Sequence, residues 1–418
     1  MAQTTPFHLT SYLSAGPDPL RKPTPNAPHI LVIGAGVTGL TNAWHLLDAG
    51  YKVTIVSKEW ASHGRTQRLT SQIAGALWEL PPTQCGGVRL TDQELTEADL
   101  KTAQRWALES YAIYAKLAAN AELARAFGVR MPLCASFHTY HVTDDEPTHA
   151  KMEVARKLAP GRFHWGMELA GKYGVDVSSN GGMKDAYEHP APVIDTDVAM
   201  AFLMRLVRSK GARMQTDSIV GDLRDQESHL LSMYRADAIV NATGLGAREI
   251  ASDLGVHSLR GGILRVINDG SDFPKIESSI IVAADEDAEG KYIDIAFIVP
   301  RSDNILVLGS IEQAHEMNLD LTPDSPVIKA MRKRCEDLVP ALKNARLDPQ
   351  YPFAQGLRPY RNSQIRIERE GRKTLSGQDS RIIHCYGHGG AGWSLAFGTS
   401  KACMEVVEGV VRKPFSRL

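Results

Sequence analysis

Apolar and polar positions along the chain change period several times, and each change marks an element. Ile30–Leu31–Val32–Ile33 has no polar break and reads as a strand buried on both faces. Apolar residues then recur at Val37, Leu40, Ala43, Trp44 and Leu47, the spacing of a helix, until Gly50 ends it. Tyr51–Val56 alternates and supplies a second strand. Residues 93–128 read as helical through Leu100, Ala103, Trp106, Ala107, Tyr111 and Tyr114, with Gly128 at the end. Residues 129–190 follow no single period. A helix over 195–209, capped by Asp195 or Thr196, precedes a strand over Met214–Val220 and a buried strand at Ala238–Ile239–Val240. From 259 to 311 four alternating, β-branched runs predict an antiparallel sheet. A helix over 325–339, strands over 365–370 and 381–387, and a last helix through Val411 complete the pattern.

Glycines punctuate this pattern where chemistry is expected. Gly34, Gly36 and Gly39 follow the first strand as G-x-G-x-x-G and open the first helix, giving a complete βαβ dinucleotide-binding unit. The first glycine makes the tight turn, the second admits a pyrophosphate, and the third lets helix pack on strand. A bare helix N-terminus there presents unpaired N–H groups and the positive end of its dipole to phosphate. An NAD site places an acid at the tip of the second strand. The tip here is Ser57–Lys58–Glu59, with Glu59 slightly past it, which leaves NAD and FAD both open. A second glycine-rich turn, Gly387–His388–Gly389–Gly390–Ala391–Gly392, opens the last helix and suits a ligand with two ends to cradle. Ala74, Gly75 and Ala76 allow close approach to something flat, and Asn241–Gly246 ends a strand in small and polar residues.

Composition narrows the field. With 418 residues there is room for two interleaved domains, and a net charge of −1 gives no electrostatic case for nucleic acid or an anionic membrane. No run reaches the length of a membrane span. Five cysteines, odd in number and without metal-ligand spacing, point to reduced thiols and no metal site. The proline-rich first 27 residues read as a loosely held arm. The last three, Ser416–Arg417–Leu418, approximate the S-K-L peroxisomal address and its import receptor.

In these motifs the chain resembles the D-amino-acid oxidase family of FAD-dependent oxidases from about residue 29 to its C-terminus. HILVIGAGVTGL, TSQIAGALW, AIVNATG, GLRPYRNSQIRIERE, HCYGHGGAGWSLAFG and the terminal SRL occur in that order. The resemblance implies an α/β fold, a Rossmann-like FAD-binding domain interleaved with a β-rich α+β substrate domain. Residues 28–85, 190–258 and 350–418 would form the first, and 86–189 and 259–349 the second. It implies noncovalent FAD, with Gly34, Gly36, Val37, Thr38 and Gly39 at the pyrophosphate. Thr70, Ser71, Ala74, Gly75, Ala76 and Leu77 would line the ring system, and Ile219 the adenosine half. Gly389, Gly390, Ala391, Gly392, Trp393 and Ser394 would meet the flavin edge, Ser394 standing where a threonine is common. Arg358 matches the arginine that pairs with the substrate carboxylate, and the Gly390 carbonyl the acceptor for its amine. The expected reaction takes a D-α-amino acid and O2 to the 2-oxo acid, ammonia and hydrogen peroxide, in the peroxisome. A homodimer stays open.

Physical chemistry supports the arginine. Hydride transfer from Cα to flavin N5 needs no base, only tight positioning of the C–H bond. A planar guanidinium can hold a carboxylate at two points, which an ammonium cannot. Arg358 has a structural alternative, an ion pair with Glu368 or Glu370 nearby in sequence. His388 reads as a hydrogen-bonding turn residue, and Cys85 and Cys385 as buried thiols. Two departures bear on substrate. Where the family has a tyrosine ahead of the strand-ending proline, this chain has Phe297, so Tyr292 or Tyr360 would have to supply the hydroxyl. Where aspartate-oxidising relatives carry arginine, it has Glu312, within Leu308–Gln313, which favours neutral or basic over acidic substrates. The alternatives are a related flavin oxidase of glycine, an N-methyl amino acid or a specialised metabolite, and an NAD-dependent dehydrogenase.

Overall fold

A computed structural model describes residues 7–64, 68–81, 96–282, 295–374 and 376–411, with the strand backbones of 285–286 and 292–293. Cys85, the side chain of Tyr292 and the Ser416–Leu418 tail lie outside the described residues. The elements that carry the argument, in chain order, are strand β1 (His29–Ile33), helix α1 (Val37–Asp48), β2 (Lys52–Ser57), α2 (Thr70–Ile73), α3 (Glu97–Ala119), β3 (Leu133–His138), β4 (Asp185–Pro190) and α4 (Thr196–Ser209). They continue with β5 (Arg213–Thr216), β6 (Ala238–Asn241), β7 (Val256–Ile267), β8 (Ser279–Val282), β9 (Ala296–Pro300) and β10 (Ile305–Gly309). Last come α5 (Pro326–Leu338), β11 (Phe353–Arg361), β12 (Arg366–Arg369), β13 (Ile382–Tyr386) and α6 (Gly392–Val411).

Two sheets organise them. The first has the order β5-β2-β1-β6-β13-β12, parallel except for β12. Its inner strands β2, β1, β6 and β13 are buried on both faces, as their largely apolar runs require, while the edge strands β5 and β12 are polar and more exposed. Ile30 and Val32 join the cluster under α1, α3, α4 and α6, while Leu31 and Ile33 face the opposite cluster with Leu223 and Leu230. Each such aliphatic side chain fully buried contributes about 1.5–3 kcal/mol. The second sheet runs from β7 through β10, β9, β8, β3 and β4, with β11 on the other edge of β7. It is antiparallel except where β8 runs alongside β3. Alternation divides its faces: Ala296 and Ile298 pack with α5, and Phe297 and Val299 turn toward the first sheet.

The long helical pattern over 93–128 breaks at Asn120. Its side chain accepts from the N–H groups of Glu122 and Leu123 and starts a new helix, Ala121–Phe127, which Gly128 ends at φ +78°. The strand expected over Met214–Val220 stops at Thr216. Helix α3, grouped by sequence with the substrate segments, instead packs Ala107, Tyr114 and Leu117 against the helices of the first sheet. Strand β11, grouped with the cofactor segments, pairs along its length with β7 of the second.

Residues 7–27 depart from the loose arm expected. Leu9 and Leu13 are buried beside Trp44, few in number but well placed. The Ser14 N–H donates to Asp48 Oδ2 at 2.8 Å, and Trp44 Nε1–H donates to the Ser14 carbonyl at 2.8 Å. Asp48 also pairs with Lys210 at 2.7 Å, both side chains fully buried, so the arm closes over a charged pair in the core.

Candidate active site

Gly34 follows β1 at φ +111°, and a Cβ there would lie 2.4 Å from the Ala242 carbonyl oxygen of the β6 turn. A Cβ at Gly39 would lie 1.9 Å from the Gly34 carbonyl, so only glycine lets α1 settle on its strand. The N-cap residue of α1, Gly36, has no side chain to cap it, and the first helical N–H, that of Val37, donates to Ser71 Oγ at 3.0 Å. This end of the helix opens onto a cavity of about 620 Å³ between the two sheets, within the range of cofactor and ligand sites.

One cavity gathers most of the residues singled out by sequence. Gly34, Gly36, Val37, Thr38, Thr70, Ser71, Ala74 to Leu77 and Ile219 line it, and so do Gly389 to Ser394, Arg358 and Phe297. Gly39 does not line it and acts through packing. Side-chain bonds tie these segments together: Trp393 Nε1–H donates to the Ser71 carbonyl at 2.8 Å, and the Thr70 hydroxyl to the Leu357 carbonyl at 3.1 Å. Arg301, buried, donates to the Ala74 carbonyl and the Thr196 hydroxyl, and burial draws its pKa down to about 10. The Phe297 ring lies on the backbone of Gly75, where a Cβ would meet it at 2.4 Å.

Arg358 is half-buried on the cavity wall. Its Nη1 donates to the Ile311 carbonyl at 3.1 Å and its Nη2 to the Ser310 hydroxyl at 2.7 Å. The structural alternative fails, because Glu368 pairs with Arg366 and Glu370 with Arg372, each at 2.7 Å. Among the described residues no carboxylate pairs with Arg358. The other arginine of the wall, Arg68, is paired with Asp197.

Three expectations need correction. Tyr360 does not line the cavity; it is buried, its ring 4.8 Å from that of His257. Glu312 does not line it either, so the charge argument against acidic substrates loses its contact. The hydroxyl bonded to Arg358 belongs to Ser310, within the same Leu308–Gln313 stretch but read from sequence only for its glutamate. His388 lines the cavity with its Nε2 3.2 Å from the Thr399 hydroxyl, a turn-to-helix bond. Cys385 is buried and its sulfur accepts from Asn42 Nδ2 at 3.4 Å.

A glycine turn opening a helix, a run of small residues and a second glycine turn on one cavity suit a long, flat, phosphate-bearing cofactor. Across residues 29–405 the sequence matches the family described as DAO, FAD dependent oxidoreductase. The chain belongs to the DAO family. FAD is therefore its cofactor, which removes the NAD-dependent alternative. The DAO-family chain is 30% identical to the D-amino-acid oxidase of Streptomyces coelicolor over 372 residues, 89% of this chain and 94% of the relative. It is 28% identical to that of Rubrobacter xylanophilus, over 89% of this chain and 93% of the relative. Its fold resembles glycine oxidase from Geobacillus kaustophilus, with a TM-score of 0.65 and 17% identity over 92% and 95% of the two chains. Glycine oxidase from Bacillus cereus gives 0.63, with 19% identity over 91% and 95%. The chain is thus an FAD-dependent enzyme of the amino-acid oxidase type.

Proposed function

We propose that this enzyme oxidises a neutral D-α-amino acid to its imino acid, which water converts to the 2-oxo acid and ammonia, with O2 reduced to hydrogen peroxide. The observation that carries this reading is Arg358: a guanidinium on the cavity wall, anchored by neutral acceptors and paired with no carboxylate among the described residues. Bound FAD would supply the two-electron acceptor for the hydride that leaves Cα. The chain's own part is to hold and orient. Arg358 binds the substrate carboxylate through its free N–H groups. The Gly390 carbonyl accepts from the amine. Gly34, Gly36 and the first turn of α1 hold the pyrophosphate, and the turn at Gly389–Ser394 offers N–H groups and a helix end where negative charge develops. Ile263, Phe297 and Leu319 add apolar lining to the cavity, which favours an uncharged side chain.

Anaerobic mixing with D-Ala, D-Lys, D-Asp, glycine and sarcosine tests the reading. D-Ala should bleach the flavin fastest and D-Asp slowest, and Arg358→Lys should raise the D-Ala KM by about 100-fold or more. Bleaching by D-Asp ahead of D-Ala, or an unchanged KM in the lysine variant, overturns it. The second reading, oxidation of glycine or an N-methyl amino acid, draws on the Phe297 ring lying on Gly75, which narrows that wall. Faster bleaching by glycine or sarcosine would favour it.

A further inference from the structure

The guanidinium of Arg358 lies across a strand to reach its acceptors. Strand β7 separates β11, which carries Arg358, from β10, which leads into Ser310. At the crossing β7 has two glycines, and a Cβ at Gly261 would fall 2.5 Å from Arg358 Cζ. Beyond the glycines, Arg358 meets a closed set of hydrogen bonds. Its Nη2 donates to Ser310 Oγ at 2.7 Å, the Ser310 hydroxyl donates to the Ile311 carbonyl at 3.2 Å, and the same carbonyl accepts from Arg358 Nη1 at 3.1 Å. The hydroxyl's donor and acceptor roles are both used, so its rotor is fixed. Arg334 Nη2 holds the Ser310 carbonyl at 3.0 Å, fixing the backbone that bears the hydroxyl. Ser310 is 5% exposed and lines the cavity. A guanidinium has five N–H donors; the two spent here form its end-on edge, which leaves Nε–H and the second Nη2–H parallel on a side edge.

We infer that Ser310 is a positioning residue for substrate recognition: its hydroxyl fixes the plane of the Arg358 guanidinium so that the side edge left over, Nε–H with the second Nη2–H, faces a carboxylate. This rests on Arg358 as the carboxylate anchor. Without the hydroxyl, Arg358 keeps one tether, at the Ile311 carbonyl, and its flexible stem lets the fork turn away from the productive plane. Threonine keeps the hydroxyl and alanine does not.

The test uses holoenzyme of the parent, Ser310→Ala and Ser310→Thr, titrated with propionate and followed by the visible absorbance of bound FAD. Steady-state kinetics with D-Ala, flavin content and thermal unfolding are measured on the same samples. Ser310→Ala should weaken propionate binding and raise KM by about 10-fold, with a smaller change in kcat and with flavin content and unfolding temperature unchanged. Ser310→Thr should return both constants to within about threefold of the parent. A purely structural role would move unfolding temperature and flavin content instead, and the bulkier threonine would aggravate the loss. Propionate binding in Ser310→Ala equal to the parent's overturns the role of Ser310 alone, as does a threonine variant as weak as alanine at an unchanged unfolding temperature. A parent that binds no propionate overturns both this role and the carboxylate anchor beneath it.

Discussion

A side chain can lie flat on a strand only where that strand has nothing to raise it. Gly261 meets this need for Arg358, and an added Cβ would fall inside the guanidinium at 2.5 Å. Gly261→Ala should therefore keep its FAD while its amino-acid KM rises at least about 10-fold, read from flavin absorbance and steady-state kinetics. Retained FAD with an unchanged KM would refute it. Arg358 was legible because it sits in a compact motif. Ser310 was not, because it meets Arg358 from 48 residues away, through strand order that local pattern does not encode. Tyr360 misled for the opposite reason. It shares a strand face with Arg358 but stands about 7 Å further along, beyond the cavity and beside His257.

Elements were legible where their ends carry chemistry. Asp195 accepts from the N–H groups of Asp197 and Val198, so α4 starts where its sequence says. Strand β4 hid because its residues Asp185, Glu188 and His189 are polar yet buried. Hydrogen bonds offset their burial: Asp185 accepts from the Val142 N–H and Trp165 Nε1–H, and Glu188 from Lys172 and Tyr173, none of which hydropathy records. Gly39→Ala places a Cβ 1.9 Å from the Gly34 carbonyl and must push α1 off β1. The flavin-to-protein ratio should collapse in that variant, and a full complement of FAD would show that the contact can relax. Asp48→Asn leaves Lys210 charged and buried without its carboxylate, which costs about 3–5 kcal/mol and releases the N-terminal arm. Urea unfolding of parent and variant measures the loss, and proteolysis within residues 7–27 should accelerate.

Across the whole molecule, the interleaving of two sheets followed from the order of the motifs, while the packed arm did not, since two leucines among prolines leave no period to read. Stability as a function of pH is also a property of the whole. Burial holds the pKa values of His45, His138 and His189 down at about 4, against 6.5 when exposed. Between these values the unfolded chain binds protons that the folded chain refuses, so acid favours unfolding. Each histidine should subtract up to about 1.4 kcal/mol per pH unit as pH falls from 6.5 to 4. Urea midpoints at pH 7, 6 and 5 should fall in that order, and His45→Gln should flatten the trend; midpoints that rise toward pH 5 would contradict it.

The parallel sheet sets β13, from near the end of the chain, directly beside β6, and the turn after β13 completes the cavity. Synthesis runs toward that strand, so a growing chain presents its first glycine turn long before it has the second. Capture of flavin then waits until the turn after β13 has been made. Ribosome-bound chains arrested before Ile382 should carry no flavin, whereas chains that include β13 and α6 should load it. A flavin bound to the arrested chains would place assembly earlier than this topology allows.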